Sequence, residues 1–393
     1  MSAPLPITPN HSRFEVLDGM RGLAAISVMV FHFQIYNYPL MKNGFIAVDL
    51  FFMLSGFVLA HSYGARLQSN MGFFEYIQKR IIRLYPMFLL GIVIGAPVLC
   101  LFAKSGLAAN SMRSIAGSIF YNFMFMPDIN SFDVRELGAA GVTTGYIFPT
   151  NPPSWSLFFE MVASFAFPFL FKLKRKNLIR VTLFSFAAFL LYGFVYSFLN
   201  YCYGFDLSGG WRASNFTEGF PRVFFGFPFG ILLYSLVDDA RLDKLRAAAG
   251  RFISHPYTLY LLIIFVLAVP YSAKGLYPAF IIAVVAPCLV YIGSTISCRG
   301  NINVKVTRFL GWISYPIYCL HYPIGRAVFL LSDKAHYSKN FAFLTTIILT
   351  FTLSIIFTKL YDEPIRAYLS KRLSGLVRSR IQTAAVGEVA DFV

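Results

Sequence analysis

Apolar stretches close to the ~20 residues that carry a helix across a bilayer recur along the whole chain. They fall near residues 18–37, 45–63, 81–103, 154–171, 181–200, 222–237, 256–272, 277–296, 309–331 and 340–361. Charged residues make up only 13% of the sequence, against about a quarter in soluble domains, and the mean hydropathy is +0.62. A chain so built has lipid as its main solvent. The sequence predicts an all-α polytopic membrane protein with about ten transmembrane helices.

Lysine and arginine orient those helices. The clusters KRIIR (79–83), KLKRK (172–176), RLDKLR (241–246) and RAYLSKRL (366–373) should share the cytoplasmic side. The stretch 112–126, MRSIAGSIFYNFMFM, is apolar but short, and a crossing there would put these clusters on opposite sides. It is therefore expected to lie in the interface or to re-enter. Both termini are then cytoplasmic, with 24 of the 34 Lys and Arg at cytoplasmic ends and loops. This bias accounts for the net charge of +16 without a nucleic-acid surface.

The N-terminal MSAPLPITPNHSRFE lacks the apolar core of a signal peptide, so the first helix is expected to persist. The five cysteines form no C-x-x-C pair and imply neither a disulfide framework nor a metal site. The expected organisation is a cytoplasmic segment at 1–16, a membrane domain at 17–364 and a basic cytoplasmic tail at 365–393. The loop near 127–153, with PDIN, GAAG and NPP, is expected to face outward as a cap over a site.

Ionisable side chains inside the apolar stretches point to function, because lipid penalises them unless they pair or line a cavity. Arg21 and His32 stand eleven residues apart, which returns to within about 20° of one helix face, about 16 Å along the axis. The alternative is that Arg21 snorkels to headgroups and His32 bonds a neighbouring helix. Asp49 lies about four residues in from the outer end of the second span, and Glu160 about six residues in from that of the fourth. Both are expected at the depth of His32, where a carboxylate can orient an imidazole as general base. Ser55 and Gly56 read as packing residues. His321 and Arg326 are further site candidates or satisfied core groups. Arg80 and Arg83, three residues apart, suit a polyphosphate or serve as membrane anchors.

Six segments together resemble the acyltransferase-3 family of integral-membrane bacterial O-acyltransferases. They are LDGMRGLAAISVMVFH with its R-x10-H spacing, GFIAVDLFFMLSGFVL, RIIRLYP, SWSLFFE, ISYPIYCLHYP and YDEP, in order from Leu17 to Pro364. The resemblance implies transfer of an acyl group, with acetyl-CoA as the expected donor from the cytoplasm, to a hydroxyl of a surface glycan, lipid-linked sugar or related acceptor. It implies that Arg21 and His32 are needed for activity and that Arg80 and Arg83 handle acyl-CoA; Asp49, Glu160 and His321 occupy further motif positions. Many relatives carry a C-terminal SGNH hydrolase-like domain; this chain is expected to act alone or with separate polysaccharide-biosynthesis partners.

The expected site is thus catalytic His32, Asp49 and Glu160, with Arg21, Arg80 and Arg83 holding acyl-CoA as a substrate. No permanently bound cofactor, metal or nucleic acid is expected, and the expected location is the bacterial inner membrane. Direct transfer and an acyl-enzyme on His32 both stay open. The rival reading is a glycolipid or small-molecule transporter or flippase, since buried charges at mid-depth also mark carriers.

Overall fold

Lipid offers backbone N–H and C=O groups no partners, so each crossing segment must satisfy its own as a helix. The computed structural model describes residues 14–33, 40–108, 110–130, 132–135, 143–201, 205–253, 255–270, 275–298, 300–373 and 375. The expected N-terminal segment up to residue 13, the end of the first span and the tail from residue 376 lie outside the described residues.

Helices dominate in the order α1 (Glu15–Phe33), α2 (Ala47–Ser69), α3 (Phe73–Lys104), α4 (Met112–Phe123), α5 (Ser154–Leu170), α6 (Arg175–Tyr201), α7 (Gly219–Tyr234) and α8 (Asp243–Phe252). There follow α9 (Pro256–Ala268), α10 (Leu276–Phe280), α11 (Ala286–Thr295), α12 (Asn301–Lys334) and α13 (Lys339–Phe357). A π turn at Ile281–Val285 joins α10 to α11 without a break. The two short strands β1 (Phe132–Arg135) and β2 (Thr143–Tyr146) pair antiparallel in the long loop. The protein is an all-α polytopic membrane protein. Among the described residues, six helical segments are long and apolar enough to cross a bilayer: Glu15–Phe33, Gly44–Ser69, Phe73–Lys104, Arg175–Leu199, Leu276–Thr295 and Lys339–Leu373. The other predicted spans also fold as helices, with α5, α7 and α9 shorter.

The ambiguous stretch 112–126 forms α4, whose 12 residues reach about 18 Å, short of the ~30 Å hydrocarbon core. Phe120, Tyr121 and Phe123 point outward, whereas Asn122 turns inward to donate to the Ile147 carbonyl and accept from Thr150. Ser118, also buried, bonds Asp128. Such two-faced polarity suits a helix lying in an interface.

Close backbone approach at glycines sets the bundle's frame. Gly22 faces Leu310, Gly311 faces Asp18 and Gly325 faces Phe33, so α1 and α12 run parallel in fixed register. Gly91 packs on Cys319 and, earlier on both helices, Tyr315 donates to the Leu84 carbonyl, which adds α3 in the same direction. Gly56 and Gly230 seat α2 against a parallel α7, and Glu160 meets Ser55 to bring α5 alongside. One set, α1, α3 and α12, thus runs against the other, α2, α5 and α7. Arg308 pairs with Glu15 at 2.5 Å and Arg175 with Asp239 at 3.5 Å, so basic clusters gather at one end, which we term the basic end. Phe184, Leu191 and Phe194 on α6 and Leu344 and Ile348 on α13 are more than half exposed, an apolar surface suited to lipid.

A Cβ added at Gly56 would lie 2.0 Å from the Phe227 carbonyl oxygen, with backbone on both sides. Gly56→Leu is therefore expected to cost at least ~1–3 kcal/mol, read as a lower midpoint of thermal unfolding in detergent. Gly117→Ala, at a position with open space around it, should leave that midpoint unchanged.

Candidate active site

Near its end distant from the basic cluster, α1 presents His32 to α12. Its Nδ1 lies 3.0 Å from Nε2 of His321, and the rings stack at 5.1 Å with 27° between planes. His321 is fully buried, and its Nδ1 lies 3.0 Å from the Ile317 carbonyl, one turn back on the same helix. A carbonyl only accepts, so this nitrogen of His321 carries the proton and its Nε2 has the lone pair. His32 must then donate from Nδ1, which leaves Nε2 of His32 as a bare acceptor. The arrangement is that of a general base whose tautomer is set by a neighbour.

The expected carboxylate partners of His32 are elsewhere. Asp49 accepts two hydrogen bonds from Arg222, at 2.8 Å from Nε and 2.7 Å from Nη2. Arg222 also donates to the carbonyls of Gly209 at 2.8 Å and Phe45 at 3.1 Å, with its guanidinium 5.1 Å from the Trp155 ring. This buried pair ties α2, α7, the start of α5 and the loop before α7 into one knot. Beside it, Glu218 accepts from the Gly209 N–H, and burial pushes its carboxyl up to about 8.

Glu160 lies deeper than expected. It accepts from Ser55 at 2.7 Å and from Arg80 at 3.1 Å, while Arg80 also donates to Ser164 at 3.3 Å. Ser55 is six residues beyond Asp49 on α2, about 9 Å along the helix, so Glu160 sits a full turn or more below the histidines. The expectation of three groups at one depth is corrected, because counting from the end of α5 ignores the offset between helices. Arg80 is corrected likewise: it is buried in this layer and bonds Glu160, whereas Arg83, half-buried, turns towards α12.

Arg83 instead stacks over Tyr315 at 5.8 Å and shares its surroundings with Arg21 and Arg366, the acid there being Asp362. Arg366 pairs with Asp362 at 2.6 Å. Three arginines thus gather at the basic end beside Asp362 and Glu363, and guanidinium groups so placed suit an anion. Arg326 is drawn into the structure, donating to the Pro149 carbonyl at 2.7 Å and packing on Tyr146 and Tyr322.

At the opposite end a cavity of about 380 Å³ has the size of a small-molecule site. His32 lines it together with Tyr318, Tyr322, Trp155, Trp211, Tyr146 and Arg222. Tyr146, Pro152 and Pro153 come from the long loop, which thus forms one wall as the sequence implied. Below it, a constriction of about 20 Å³ is lined by Arg21, Glu160, Ser156 and Tyr315. Tyr318 borders both spaces, with its hydroxyl held by Ser156 at 2.5 Å. The sequence carries little signal for Arg222 and Tyr318: the first stands at the end of a span as basic residues commonly do, and the second is one of 23 tyrosines.

Removing one partner of the Arg222–Asp49 pair leaves a buried charge uncompensated, at about 3–5 kcal/mol. Arg222→Ala should therefore lower the unfolding midpoint sharply, and Arg222→Met with Asp49→Leu should recover part of it. Equal midpoints for wild type and Arg222→Ala would show that the knot is not structural.

Residues 14–359 match the family model described as an acyltransferase domain. Over 164 residues the chain is 33% identical to "Protein 2 in picA locus" of Rhizobium radiobacter, covering 39% of this chain and 79% of that one. It is 28% identical to acyltransferase MdmB of Streptomyces mycarofaciens over 44% of this chain and 43% of MdmB. Peptidoglycan O-acetyltransferase OatA of Listeria monocytogenes is 30% identical over 32% of this chain and 21% of OatA. The matches thus span less than half of the two relatives named for acyl transfer. No solved structure matches the chain. With nearly its whole helical bundle inside the family match, the chain belongs to the acyltransferase-3 family.

Proposed function

We propose that the protein moves an acyl group, acetyl in the simplest case, from acyl-CoA to a hydroxyl of a glycan, glycolipid or related acceptor. The observation that carries this reading is His32, which borders the cavity with Nδ1 committed to His321 and Nε2 left to accept a proton. The names of the relatives support O-acetyl transfer as the reaction class. The protein would work as a ten-span protein of the bacterial inner membrane, basic end inward and cavity outward, in keeping with the distribution of lysine and arginine.

In this mechanism Arg21, Arg83 and Arg366 hold the phosphates of CoA, and the pantetheine arm rises past Tyr318. An acceptor hydroxyl in the cavity donates to Nε2 of His32 while its oxygen attacks the thioester carbonyl. The C–S bond breaks, and the departing CoA thiolate takes the proton back from His32. His321 holds the ring in place throughout, its own Nδ1 proton fixed on Ile317. Asp49 and Glu160, neutralised by Arg222 and Arg80, shape the site without touching the proton in transit.

Radiolabelled acetyl-CoA with purified protein and candidate glycans tests the reaction. His32→Ala should reduce transfer by at least ~10²-fold, the usual weight of a general base, with the unfolding midpoint retained. Full transfer by His32→Ala would remove His32 from the mechanism. A wild type that labels neither acceptor nor itself, yet moves lipid-linked sugar across vesicles, would establish the flippase reading instead.

Arg83→Ala and Arg366→Ala should each raise KM for acetyl-CoA about tenfold with little change in kcat, because the phosphates are bound equally in ground and transition states. A drop in kcat at unchanged KM would contradict the assignment of this cluster to the donor.

A further inference from the structure

Lys42 is the one group lining the cavity, among the described residues, whose positive charge has no carboxylate beside it. Its position is built. The next residue, Asn43, is buried and donates from its backbone to the Leu267 carbonyl at 2.9 Å and from its side chain to the Val269 carbonyl at 2.7 Å. The turn is closed by Gly44 N–H donating to the Met41 carbonyl at 3.0 Å. The half-buried lysine therefore leaves a turn pinned to the end of α9, and it borders the same space as His32.

The surrounding charges make that ammonium stand out. No Asp or Glu lines the cavity among the described residues. Arg222, the other cation there, is balanced by Asp49. On the loop that supplies Ser208 to the cavity wall, Asp206 accepts from the Ser208 N–H and Glu218 from the Gly209 N–H. The space is thus aromatic, of a size for a small ligand, and positive by one charge on its wall. Aromatic faces suit sugar rings, and a lysine suits an anion of any shape, since its three donors turn freely.

We propose that the acceptor is an anionic saccharide, bearing a carboxylate or a phosphodiester that Lys42 holds while a hydroxyl of the same molecule reaches His32. Lys42 would then select the acceptor and fix which hydroxyl faces Nε2. The assignment rests on the acceptor site put forward under Proposed function, but it makes a claim about binding that stands apart from turnover.

Trp155 and Trp211 line the cavity and report on its occupancy. The test titrates the full-length protein in nanodiscs, following tryptophan fluorescence, with a uronic-acid disaccharide, its neutral methyl ester and a glycosyl phosphodiester. Wild type should bind a charged ligand about tenfold more tightly than the neutral ester, the weight of one charge-assisted hydrogen bond. Lys42→Gln should lose that preference and Lys42→Arg should keep most of it. Which charged ligand is preferred separates carboxylate from phosphodiester.

Equal binding of ester and anions by wild type, or a preference that survives in Lys42→Gln, overturns the proposal; the lysine then only anchors the turn at the membrane surface. Charge-selective binding that depends on Lys42, in a protein that transfers no acyl group, upholds the proposal and refutes the transferase reading. Transfer without charge preference does the reverse.

Discussion

The guanidinium of Arg222 is the point on which one half of the bundle hangs. It places four hydrogen bonds on two separate segments, Phe45 and Asp49 on one and Gly209 on the other, and packs against Trp155, all away from water. In lipid no such group can be left half satisfied, since each orphaned donor or acceptor costs several kcal/mol. The ends of α2, α5 and α7 away from the basic end must therefore meet in one way, and the cavity walls supplied by Trp155 and the loop before α7 follow from it.

The same demand explains why the acids do not serve His32. A carboxylate accepting from the imidazole N–H would favour the charged form of the ring. Here both candidate acids are taken by arginines, and the histidine is oriented by a second, neutral histidine. Neutral partners suit a desolvated site, because neither ring must hold a permanent charge. Arg21, Arg83 and Arg366 are kept apart at the basic end, with Tyr318 and its hydrogen bond to Ser156 between the two regions. In the proposed mechanism, donor phosphates and acceptor base would be separated by roughly the 16 Å between Arg21 and His32 on α1.

Much of this was legible from the chain. Segment lengths and apolarity show where helices run, and the shortness of 112–126 distinguishes α4 from a crossing. Position on a single helix shows that Arg21 and His32 share a face. What helical spacing does not carry is the offset between helices: it shows how far Glu160 lies from the start of α5, but not that α5 starts level with Trp155 beside Arg222. Nor does it choose among partners. Asp49 had His32 and Arg222 within reach in principle, and the bidentate fork of the arginine wins because it satisfies both oxygens at once. Arg80 and Arg83, three positions apart, diverge around the helix, and only the packing of α5 and α12 on α3 shows which of them turns inward.

The central claim is that a thioester bound through the basic end presents its carbonyl to Nε2 of His32. A cryo-electron microscopy structure with a non-hydrolysable thioether analogue of acetyl-CoA tests it most directly. The account predicts phosphate density against Arg21, Arg83 and Arg366, with the acyl end above Tyr318 and within hydrogen-bonding reach of an acceptor oxygen held on His32. An acyl end lodged beside Ser55 and Glu160, or phosphates bound away from the three arginines, would contradict it.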